Sequence, residues 1–121
     1  MPPVPPPLAV RAARALVRAE RAFDADDDEA AVRLAQEAEE HGRAAGDLVV
    51  VTRAIVLSSR MSAAHGDFAG SQRQADEAFE IAEGIGDPAV VAVARIARGG
   101  ALLALGDVAA GLDELTQAWT V

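Results

Sequence analysis

Cysteine, lysine, asparagine and tyrosine do not occur in this chain of 121 residues, and aromatic residues make up only 3% of it. Without cysteine there is no disulfide framework, no thiol nucleophile and no thiolate metal ligand. Without lysine, all 11 basic residues are arginines, and 19 acids outnumber them to leave a formal net charge of −8. That balance argues against nucleic acid or an anionic membrane as the main partner, because both demand a basic footprint. Long apolar runs are missing as well. Arg95 and Arg98 interrupt the most apolar stretch, so nothing reads as a membrane span of about 20 residues. The start of the chain lacks the basic residues and apolar core of a signal peptide, and the expected location is cytoplasmic. Lysine, asparagine and tyrosine have AT-rich codons, so their joint absence points to a GC-rich, bacterial genome.

Catalytic groups are scarce. His41 and His65 are the only histidines, each just before a glycine near a helix end, where a cationic side chain suits the negative end of the dipole. His65 and Asp67 form the nearest thing to an acid–base pair, but neither a nucleophile nor a metal-ligand cluster accompanies them. Gly99-Gly100 sits inside a helical stretch and reads as a close-packing device, not a phosphate cradle. The expectation is a chain that is not an enzyme, with no catalytic residues, no cofactor and no metal.

What the chain has is a beat. Gly-Asp recurs at Gly46-Asp47, Gly66-Asp67, Gly86-Asp87 and Gly106-Asp107, twenty residues apart, with Asp26-Asp27 in register before them. A glycine just past a helix end can take the left-handed conformation that closes the last carbonyls, and the aspartate can cap the first amides of the next helix. Between these stops lie good helix formers, alanine, leucine, arginine, glutamate and glutamine. The expected architecture is all-α, six helices at about 8–24, 28–45, 48–64, 68–83, 88–105 and 108–120, preceded by a proline-rich lead over residues 1–7. One domain is expected over 8–121, as three repeats at about 8–47, 48–87 and 88–121. The β-branched run Leu48-Val49-Val50-Val51 is read as helix because the beat continues through it.

Two surfaces stand out. Arg11, Arg14, Arg18 and Arg21 fall on one face of the first helix, as a solvated stripe, a contact for an acidic partner, or ion-pair partners of Glu37, Glu39 and Glu40. In the sixth helix Val108, Leu112, Leu115 and Trp119 form an apolar stripe, expected to be an open edge that awaits a further unit or a second copy, or else to fold back on its own pair.

The forty-residue period, the small residues Ala19, Ser59 and Gly99 in the first helix of each pair, and Ala38, Ala78 and Ala118 in the second resemble tetratricopeptide repeats. Gly99 with Gly106-Asp107 and Ala118 is the best-formed part. The unit is longer than the family's usual length of about 34 residues, and in that it is similar to the repeats of large bacterial regulators. The resemblance implies a right-handed superhelix of antiparallel helix pairs, with a concave groove lined by Ala13, Leu16, Glu20, Arg53, Val56, Arg60, Val93, Ile96 and Gly100. Arg53 and Arg60, seven residues apart on one helical face, would hold a carboxylate there.

The functional expectation is a protein-interaction scaffold that binds a peptide or partner helix in the groove or at the open edge. The alternative is a regulatory or sensor segment of a signalling or transcriptional regulator. Self-association as a homodimer through the sixth helix is a third possibility.

Overall fold

The computed structural model describes residues 3–120; Met1 and Pro2 of the proline-rich lead, and Val121 at the end of the third repeat, lie outside the described residues. Six helices follow one another: α1 Leu8–Asp24, α2 Asp28–Ala45, α3 Leu48–Ala64, α4 Phe68–Ile85, α5 Pro88–Ala104 and α6 Val108–Trp119. There is no strand among the described residues. The β-branched start of α3 is helical because the capping signals on both sides agree and several of its side chains find a core. Val50 and Val51 are buried, and Thr52 Oγ1 donates to the carbonyl of Leu48 at 2.8 Å. Helix α4 runs two residues past its expected end, through Gly84, which meets no neighbour, and stops where Gly86 turns left-handed.

The beat is a capping code. Asp27, Asp47, Asp67 and Asp107 each accept the amide three residues on, and Asp87, beside Pro88 at the first turn of α5, accepts that of Ala89 at 2.9 Å. Such caps are worth about 1 kcal/mol each. Gly46, Gly66, Gly86 and Gly106 have φ between 71° and 87°, where a Cβ is strained, and Asp26 takes φ 58° in the equivalent place. Only α1 begins without a side-chain cap, after Pro7.

Two-residue or three-residue turns fold each helix back on the one before, and the closest crossings recur every forty residues. Ala19 and Ala31 are fully buried in one cluster. Forty residues on, Ser59 Oγ donates to the Ser71 carbonyl at 2.7 Å and lies 3.0 Å from its hydroxyl. Forty further, Gly99 and Gly111 approach so closely that a Cβ on either would stand 3.0–3.1 Å from the carbonyl oxygen of the other. The same crossing is thus built from alanines, serines and glycines in turn.

Junctions between pairs repeat as well. Ala15, Leu16, Ala38, Val50 and Ala54 share one cluster across α1, α2 and α3, and Ile55, Ala78, Val90 and Ala94 share its counterpart across α3, α4 and α5. Helix α3 packs on both α1 and α5, whereas the backbones of α2 and α4, and of α4 and α6, stay apart. Arg43 spans the first of these gaps to Glu77, at 3.0 Å. Odd-numbered helices therefore form a continuous row, and even-numbered helices a looser one.

Candidate partner-binding groove

Along the odd row lies a cavity of about 580 Å³, lined by Phe23 of α1, Val56 and Arg60 of α3, and Val93, Ile96 and Gly100 of α5 among others. Its walls are mostly apolar because the row presents short side chains in register. Val56 is half-buried, and Val93 and Ile96 are 39% and 49% exposed. Gly100 has nothing within 4 Å of where its Cβ would be, so this part of the wall is open. Ser59 and Ser71 at the floor satisfy each other, and no buried side-chain polar atom among the described residues lacks a partner.

Five residues expected in the groove are here together: Val56, Arg60, Val93, Ile96 and Gly100. Four are not. Leu16 is only 2% exposed, because α3 covers it with Val50 and Ala54, so it is core. Ala13 lies on another face of α1, beside Val10, Arg14 and Val17. Glu20 and Arg53 pair with each other: one guanidinium nitrogen of Arg53 lies 3.0 Å from both carboxylate oxygens of Glu20. This corrects the expected carboxylate clamp, since Arg53 already holds an internal carboxylate and only Arg60 remains. Arg60 makes no ion pair among the described residues, and its guanidinium lies over the Phe23 ring, 4.8 Å from the centroid. A cation stacked this way keeps its in-plane N–H groups for an incoming acceptor.

Sequence reasoning missed Phe23, the aromatic part of the wall. Its signal was present: Phe23 lies seven residues beyond Leu16 on the same helix, and its forty-residue counterpart Ala63 lines the same cavity.

The expected open edge divides in two. Trp119 is 84% exposed. Leu115, however, packs inward on Gly99, where a Cβ would lie 2.8 Å from its Cγ, so it belongs partly to its own pair. Val108 and Leu112 of the same stripe are exposed, at positions where Phe68 and Val32 of other repeats are also exposed. The arginine stripe of α1 makes no ion pair among the described residues; Glu37 and Glu39 are engaged by His41 and Arg43 of their own helix.

His65 closes the α3 terminus. Its Nδ1 stands 2.7 Å from the Met61 carbonyl and its Nε2 3.2 Å from the Asp28 carboxylate at the start of α2. Both neighbours are acceptors, so the imidazolium form, with two N–H donors, satisfies the pair. The hydrogen bond to Met61 first, then the bond to and charge of Asp28, raise the histidine's pKa above its ordinary 6.5. Asp67, the expected partner, caps α4 instead. Among the described residues no group of three or more His, Cys, Asp or Glu side chains stands together as a metal site, and no helix is long and apolar enough to cross a membrane.

Comparison with known proteins returns no match among family models, curated proteins or solved structures.

Proposed function

We propose that this chain is a protein-interaction scaffold, a tetratricopeptide-like array whose groove along α1, α3 and α5 takes an apolar peptide or a partner helix. One observation carries the reading: a mostly apolar cavity crosses the first helix of all three pairs and holds a single unpaired guanidinium, Arg60. Concave, apolar walls with a few convergent polar groups are the usual form of a binding site. A stacked array of antiparallel helix pairs is supported by the order of packing, in which odd helices meet one another and even helices do not, and the right-handed superhelix is what the family resemblance implies. Binding without catalysis, in a bacterial cytoplasm, agrees with this reading.

Peptides selected from a displayed library against the wild-type chain test it. They are expected to be apolar with an acidic residue, and to lose binding to the double variant Val93→Asp, Ile96→Asp while still binding Arg53→Ala. Equal binding to wild type and to the double variant refutes the groove.

A further inference from the structure

We infer that copies of this chain join end to end, the free face of α1 on one copy seating on the free face of the α5–α6 pair of the next, with Arg18 of the first lying over Trp119 of the second. The contact is separate from the groove and does not depend on it.

The fold itself shows how such a face is covered. At the second junction α5 brings Val90 and Ala94 against Ile55 and Ala78, and its Arg98 guanidinium lies 4.1 Å from the centroid of the Phe79 ring. Forty residues after Phe79 stands Trp119, and eighty before Arg98 stands Arg18. The two halves of this cation–π contact are therefore present again, one on α1 and one on α6, and among the described residues neither is engaged. Trp119 is 84% exposed, and Arg18 makes no ion pair among the described residues.

The apolar register agrees. Val10 and Val17 of α1, 41% and 44% exposed, occupy the positions by which Val50 and Leu57 of α3 are buried on the first pair. At the other end Ala118 is only half-buried, where its counterparts Ala38 and Ala78 are fully buried beneath α3 and α5. The α1 face carries Arg11, Arg14, Arg18 and Arg21; α6 carries no basic residue, and of its two acids Glu114 is already held by Arg95 and Arg98, which leaves Asp113 exposed. Arg14 replaces the small Ala54 and Ala94 of the internal junctions, so the seat between copies is shallower than within a copy and the association reversible. Because the two faces differ, the contact is heterologous: two copies do not satisfy both faces at once about a twofold axis, and growth is head to tail, copy by copy.

Light scattering over a wide concentration series tests this on the full chain. Wild type is expected to rise above the 12.5 kDa of one copy as concentration increases, while emission from its single tryptophan moves to shorter wavelength. Arg18→Glu and Trp119→Ala change exposed side chains, so both should keep the wild-type helical circular dichroism, and each alone is expected to stay at the mass of one copy. Mixed in equal amounts, they are expected to form a capped pair of about twice that mass, since each retains the face that the other has lost. A wild type that stays at one copy throughout overturns the inference. So does a wild type that associates while Arg18→Glu associates equally well and the mixture forms no pair, because that pattern belongs to a twofold contact through α6.

Discussion

Gly99 and Gly100 are neighbours on one helix, and the structure gives them opposite packing. A Cβ at Gly99 would meet Leu115 Cγ at 2.8 Å and the Gly111 carbonyl oxygen at 3.1 Å, whereas a Cβ at Gly100 meets nothing within 4 Å. Replacing either by alanine gains helix propensity and reduces the freedom of the unfolded chain, together about 0.5–1 kcal/mol. Gly100→Ala should keep that gain. Gly99→Ala should forfeit it, because α5 and α6 must separate against a backbone oxygen, an overpacking cost of about 1–3 kcal/mol. The difference between the two variants cancels the propensity and unfolded-state contributions and leaves the packing cost alone. At about 4 °C per kcal/mol for a chain of this size, Gly100→Ala should melt about 4–12 °C above Gly99→Ala. Thermal and urea unfolding followed by circular dichroism measure it. Two variants that melt within about 1 °C of each other would refute the close crossing of α5 and α6.

Other expectations follow from single contacts. Asp26 is the one left-handed residue among the described residues that is not glycine, so Asp26→Gly should stabilise by about 0.5–1 kcal/mol, read from the urea midpoint. His65, with its pKa raised, contributes stability that is fully present below its unfolded value of 6.5 and lost as pH rises through its higher folded value. The stability difference between wild type and His65→Gln should therefore shrink from pH 5 to pH 9, and proton NMR titration of Asp28→Asn should show the histidine titrating at lower pH than in wild type. Arg53→Ala removes an exposed ion pair and should cost less than about 1 kcal/mol, again by urea unfolding. Arg60→Ala should weaken groove-binding peptides that carry a carboxylate about tenfold, and peptides without one little, as measured by titration calorimetry.

Much of the fold is legible because the punctuation is local: a glycine that must turn left-handed and an aspartate that must cap are read without knowing the neighbours. The groove is legible only in part, because one repeated position is covered differently in each repeat. Val56 and Ile96 line the cavity, but Leu16, their counterpart in α1, is buried by α3. Arg53 misleads for a different reason. Its side chain is long enough to reach Glu20, thirty-three residues earlier, and no spacing rule within a helix anticipates a pair formed between helices. Leu115 misleads because the glycine it fills, Gly99, had been counted as a landmark of the repeat and not as a hole.

The unequal spacing of the two helix rows also gives the molecule a mechanical character. Odd helices pack on one another through α1, α3 and α5, so that side resists stretching with its apolar clusters, while α2 and α4 are spanned by the Arg43–Glu77 pair. The array is a leaf spring whose stiff leaf carries the groove. Bending that spreads α2 from α4 breaks the screened Arg43–Glu77 pair, worth about 1 kcal/mol or less, but also works against the packing of Ala38 on Val50 and Ala54. Salt therefore softens only the outer rung, and the apolar core sets the curvature of the wall.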